Sequence, residues 1–158
     1  MLEQLLGEQR ESEAGDATSV PVHDGETGST ESVVESPAFR VGRTLFGGVL
    51  AFMALDNLRN LDQRIGYAES NGAPAPEVSV PGVSVSLLLG SVGVALWRLP
   101  AVAAAAVAGF FVGVTPVMHD FWSEDDPEQR QQQRIHFLKN AALLGAALAF
   151  LRVGRRSD

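Results

Sequence analysis

The sequence predicts an all-α fold: an integral membrane bundle of four transmembrane helices, preceded by a disordered acidic N-terminal tail. Three observations predict it. Val78–Trp97 and Leu99–Met118 are each 20 residues without a charge, separated by Arg98 alone. A hydrocarbon core about 30 Å thick needs roughly 20 mostly apolar residues in a helix. Neither run alternates as a strand would, and backbone polar groups in lipid must be satisfied internally, so each run is a helix. Finally, the charge is uneven. Residues 1–40 hold nine acids and two bases, whereas residues 41–158 hold ten of each.

The tail is expected to cover residues 1–38 and the membrane unit residues 39–158. Residues 1–38 are rich in Glu, Ser, Gly and Thr and poor in aromatics. Such a segment buries too little apolar area to offset the entropy of ordering. A brief helical turn over Met1–Leu6 is compatible with this, and no signal peptide is expected, because the start is neither basic nor followed by an apolar stretch.

The first span is expected at about 41–61. Its uncharged part, Thr44–Leu55, is only 12 residues, and only its setting beside the hairpin makes it a span. Asp62–Glu77 reads as a polar connection, with Pro74 and Pro76 marking the entry to the second span at about 78–97. Pro100 opens the third, at about 100–118, and Pro116 should kink or unwind its end. Asp120–Arg134 reads as a loop or short surface helix, with Glu124-Asp125-Asp126-Pro127 as a turn and helix start. The fourth span follows at about 135–153, with an uncharged core of Asn140–Leu151.

Small residues at helical spacing predict close-packed seams. They are Gly47, Ala51 and Ala54, then Gly82, Ser86 and Gly90, then Ala105, Gly109 and Gly113, and finally Ala142, Ala146 and Ala149. Six arginines (Arg40, Arg43, Arg98, Arg152, Arg155 and Arg156) fall at one end of the spans and four (Arg59, Arg64, Arg130 and Arg134) at the other. That bias places the protein in the cell membrane as a multi-pass chain, both termini cytoplasmic. Arg43 reads as an interfacial anchor, and Trp97 and Trp122 as anchors on opposite faces.

This topology brings three polar groups to one depth near the outer boundary: Asp56 and Asn57, His119 and Asp120, and His136, Lys139 and Asn140. Ionisable groups at membrane depth face the bundle interior and find partners. Lys139, the single lysine, is expected to pair with Asp56 or Asp120. The cluster is then either a structural latch or a small-ligand site in which His119 and His136 donate hydrogen bonds to a quinone carbonyl or carry protons. A quinone is the one ligand it suits beyond depth alone, which is all that haem ligation has in its favour.

Other chemistry is missing. Without cysteine there are no disulfides, thiolate metal sites or iron–sulfur ligands. No phosphate-binding glycine loop, metalloprotease motif or serine-nucleophile motif is present. No basic patch points to nucleic acid, and the expected partners are the lipid bilayer and a second copy of the chain. No metal site is expected.

Several blocks resemble the DoxX family of small four-span membrane proteins, in a form similar to that of salt-loving archaea. They are Arg43-Thr44-Leu45-Phe46-Gly47-Gly48, Pro74-Ala75-Pro76, Gly113-Val114-Thr115-Pro116, His119-Asp120-Phe121-Trp122 and Phe137-Leu138-Lys139-Asn140. The resemblance covers about residues 40–152. It implies a helical bundle associated with a terminal quinol oxidase, a thiosulfate:quinone oxidoreductase or membrane-bound oxidative-stress complexes, and carries over no catalytic residue. It adds other membrane redox subunits to the expected partners. Function is accordingly expected to be that of a non-catalytic subunit or scaffold of a membrane redox complex. The alternatives are a quinone-interacting oxidoreductase subunit and a small-molecule carrier.

Overall fold

A computed structural model describes residues 33–157. The helical turn expected at Met1–Leu6 and most of the acidic tail lie outside the described residues. From Ser36 onward five helices are described, in order α1 (Pro37–Arg59), α2 (Leu61–Ser70), α3 (Pro76–Leu96), α4 (Pro100–Met118) and α5 (Pro127–Gly154). No strand occurs among the described residues. All but α2 are long and apolar enough to cross a membrane.

The four long helices start in the same way. Each has a proline in its first turn, where the missing N–H leaves no bond unmade. Ser36 caps α1, its Oγ accepting from Phe39 N at 3.3 Å. Asp126 caps α5, accepting from Glu128 N and Gln129 N at 2.8 and 3.0 Å. These caps place the starts of α1 and α5 four and eight residues before the expected span starts at about 41 and 135. The segment expected as a polar connection contains α2, which Asn60 sets off from α1 with φ −115° and ψ 38°.

The α3–α4 connection is tight. Trp97 and Leu99 both take left-handed conformations, at φ 55° and 48°. Arg98 N donates back to Gly93 O at 2.8 Å, closing the last carbonyls of α3. A Cβ on Gly93 would sit 2.6 Å from Ala103 Cβ, so the hairpin closes only with glycine there. Pro116 does not break α4; the helix runs two residues further and leaves the α conformation at His119.

Neighbouring helices run antiparallel in the order α1, α3, α4, α5, and α2 lies against α3 at one end. The core is built of Leu50 and Ala54 from α1, Leu87 from α3, Val107, Ala108 and Phe111 from α4, and Ala147 from α5. A second cluster of Val94, Ala103 and Ala104 closes the opposite end. The outside is apolar as well: Phe52 and Leu89 are each 68% exposed. Small residues within and large apolar ones outside are what lipid as solvent requires.

The seams are only partly those expected. A Cβ on Gly47 would collide with Ser91 O and sit 2.8 Å from Ala95 Cβ; one on Gly90 would sit 2.9 Å from Ala103 O. These two glycines make the α1–α3 and α3–α4 contacts. Gly82, Gly109 and Gly113 face open space, and Ser86, Ala105 and Ala142 are exposed. On α1 the expected Ala54 is fully buried and Ala51 half-buried; on α5 Ala146 is half-buried and Ala149 exposed, and Ala147 carries the contact instead. The reason is geometric. Steps of four advance 40° round a helix, so Gly82 and Gly90 stand about 80° apart and cannot share one narrow seam.

Candidate functional site

At the end of the bundle that carries α2, the helices diverge around a cavity of about 410 Å³. Leu50 and Met53 of α1, Val83 and Leu87 of α3, and Phe110, Phe111, Val114 and Val117 of α4 form its apolar walls. Its polar lining includes Asn57, Arg64, Tyr67, His119, His136 and Asn140, with Ser79 and the buried Ser84 on the α3 side. Tyr67 and His136 are exposed, so this polar side is the mouth.

Four of the seven residues expected to converge, Asn57, His119, His136 and Asn140, therefore line one cavity. Asp56 stands behind it. Its Oδ2 accepts from Arg64 Nη2 at 2.9 Å, and its Oδ1 accepts from Asn60 Nδ2 at 3.0 Å. Arg64, eight residues on, is brought back over Asp56 because α2 continues almost directly from α1. The expected pairing of Lys139 with Asp56 or Asp120 is thus corrected. Lys139 is exposed and has no ion-pair partner among the described residues. It lies one residue before Asn140, about 100° round α5, which turns its ammonium outward to the interface. Asp120 is half-buried and its backbone oxygen accepts from Ser123 N at 2.8 Å.

Both members of the Asp56–Arg64 pair are nearly half exposed, at 49% and 43%. Such a pair is worth at most about 1 kcal/mol. Asp56→Asn should lower thermal stability in detergent by no more than about 1 kcal/mol, and Lys139→Met should be neutral to about 0.5 kcal/mol. A large loss in Lys139→Met would restore a latch role for that residue.

The histidines form one unit. The His119 and His136 rings stack with centroids 5.2 Å apart and planes 17° from parallel. His119 Nδ1 is 2.8 Å from Gln133 Oε1. Gln133 Nε2 donates in turn to the Tyr67 hydroxyl at 3.4 Å. A polar chain thus crosses the mouth from α2 through α5 to the end of α4. Tyr67, Arg64 and Gln133 were not singled out from sequence. Gln133 had a legible signal, lying three residues before His136 and so on the same helical face.

Two of the sequence blocks meet here. After His119 enters the cavity wall, Phe121 and Trp122 turn onto Phe137 of α5, with ring centroids 5.4 and 5.9 Å away. In the block Phe137-Leu138-Lys139-Asn140, Phe137 takes this aromatic corner and Asn140 reaches the cavity, while Leu138 and Lys139 point outward.

The opposite end is closed. Phe39 and Phe46 of α1, Trp97 and Phe150 of α5 form an aromatic cluster, with Phe150 within 5.1–6.2 Å of the other three rings. Arg43 Nη1 donates to Ala95 O at 2.8 Å, and its guanidinium lies 5.7 Å from the Trp97 ring centroid. Arg43 is therefore tied to the end of α3, and Trp97 is a packing element whose indole nitrogen is buried. Trp122, by contrast, is 57% exposed.

No match was found among curated proteins or among solved structures. The DoxX family model matches residues 38–120, which take in α1 to α4, the cavity walls they supply and His119. With four membrane-length apolar helices and that match over more than half of its length, the chain is a multi-pass membrane protein and belongs to the DoxX family.

Proposed function

We propose that the protein is a ligand-holding, non-catalytic subunit of a membrane redox assembly, and that its cavity takes a lipophilic ligand of the quinone class. It sits in the cell membrane with both termini cytoplasmic, so that the cavity opens towards the other side. The observation that carries this reading is the cavity itself. Its volume, about 410 Å³, is within the range of small-molecule sites, roughly 300–1,000 Å³. Its walls are apolar apart from Ser84, and its amide, imidazole, phenol and guanidinium groups lie at one end, which suits a ring with one wet edge and an apolar tail. The charge of Arg64 is countered by Asp56, so the mouth favours a neutral head over a carboxylate or phosphate.

The chain contains no cysteine, and its own side chains supply no two-electron couple. Electrons would come from a partner subunit or a bound group. The arginine-rich end, which carries Arg40, Arg43, Arg98, Arg152 and Arg155, supports the orientation.

The test is solvent extraction of quinone from protein purified in mild detergent at high salt. Near-stoichiometric quinone, counted as quinone plus quinol, is expected in the native protein and in Lys139→Met, whose side chain lies outside the cavity. Val83→Trp, which fills it, should reduce quinone to background. Equal amounts in the native protein and Val83→Trp would overturn the proposal.

A further inference from the structure

We infer that the cavity selects a ligand whose polar head donates a hydrogen bond, such as a phenolic or quinol hydroxyl, to His119 Nε2, and that Gln133 is the positioning residue that sets this preference. The inference rests on the reading of the cavity as a ligand site and adds the polarity of its recognition.

Gln133 presents its oxygen to His119 Nδ1 at 2.8 Å. A carbonyl oxygen only accepts, so Nδ1 carries the hydrogen. The NH₂ of the same amide donates to the Tyr67 hydroxyl, a group that can accept or donate. A neutral imidazole with hydrogen on Nδ1 has a lone pair on Nε2 and can only accept there. Nε2 makes no hydrogen bond to the described residues and is not among the buried polar atoms left without a partner. It is therefore open, on a ring that lines the cavity.

The other polar groups do not impose this direction. Arg64 offers only donors, and its Nε is buried without a partner among the described residues, so it suits the acceptor lone pair that a hydroxyl oxygen also carries. Asn57 and Asn140 each offer both an oxygen and an NH₂, so they serve a hydroxyl or a carbonyl equally. Stacking on His136 holds the His119 ring plane, and Gln133 decides which nitrogen faces the ligand as an acceptor. A carbonyl-only head would meet a lone pair at Nε2, whereas a hydroxyl would meet its complement.

The experiment compares 4-nonylphenol with 4-nonylanisole, which share ring and chain and differ only by a methyl group on the oxygen. Both are titrated into the full-length protein in detergent at pH 8, where free imidazole is neutral. The native protein should bind the phenol about fivefold more tightly, the size of one net hydrogen bond. Gln133→Glu keeps an acceptor beside Nδ1 and should keep the preference. Gln133→Leu should bind the two probes alike.

The tautomer can be read directly by ¹⁵N NMR, since the chain has three histidines. His119 should be protonated at Nδ1 in the native protein and lose that bias in Gln133→Leu. The wild-type titration and spectrum decide the matter even if Gln133→Leu does not fold. Saturable, equal binding of both probes, tighter binding of the anisole, or hydrogen on Nε2 would each overturn the inference while leaving the cavity a ligand site. No saturable binding of either probe would overturn the ligand site itself.

Discussion

Gly47→Val is expected to prevent accumulation of the folded protein, while Gly109→Val leaves it nearly unchanged. Both glycines lie within membrane-length helices, and both stand in stretches of small residues. At Gly47, even a Cβ would collide with the Ser91 carbonyl and reach 2.8 Å from Ala95 Cβ. The obstacle includes backbone, which cannot rotate aside, so α1 would have to move off α3. Overpacking of this kind costs about 1–3 kcal/mol and sometimes more. A separated α1 would also pull Arg43 away from Ala95 O and Trp97. At Gly109 nothing lies within 4 Å, and the new side chain would meet lipid. Detergent yield and thermal unfolding of the two variants check this. A Gly47→Val protein as stable as the native one would show that α1 and α3 do not meet at this glycine.

The next largest effect is expected from Phe150→Ala. Phe150 links the end of α5 to Phe39 and Phe46 of α1 and to Trp97 beyond α3. Helices in lipid gain little from the hydrophobic effect, so packing contacts of this kind hold them together. Removing the ring opens a void at a junction of three helices and should lower stability by about 2–4 kcal/mol. It should also expose Trp97, whose indole nitrogen is buried in the native protein. In a Trp122→Phe background, Trp97 fluorescence should shift to the red on Phe150→Ala. An unshifted spectrum and unchanged melting temperature would mean that the aromatic cluster does not hold this end closed. The cavity lies at the other end, so quinone content should fall less than in Val83→Trp.

Much of the fold was legible because lipid leaves few choices. The two 20-residue uncharged runs could only be spanning helices, and Pro100 and the connection around Arg98 fixed where the hairpin turns. Pro76 and Pro127 were equally informative, whereas Ser36-Pro37 was read as part of the tail although it has the form of a helix start. The small-residue seams were less legible. In a soluble helix, polarity marks the outward face. Here the outward face is as apolar as the inward one, so the choice of Gly90 over Gly82, or Ala147 over Ala146, depends on helix rotation and not on composition.

The candidate site shows the same division. Sequence spacing brought Asn57, His119, His136 and Asn140 to one depth, and all four line one cavity. The same reasoning gave Lys139 a partner it does not have, because depth says nothing about direction round the helix. It also passed over α2, a ten-residue helix with little apolar signal. Through α2, Arg64 reaches Asp56 and Tyr67 reaches Gln133.

The number of spans, their order, the end at which each neighbouring pair turns and the depth of each polar group are legible along the chain. They follow from lengths, prolines and charges set against a solvent of fixed thickness. Which helical faces meet, that the polar groups surround a cavity, and that Gln133 faces His119 emerge only once the bundle is packed. Those depend on rotations of about 100° per residue about each helix axis, which an environment equally apolar on all sides leaves unmarked in the sequence.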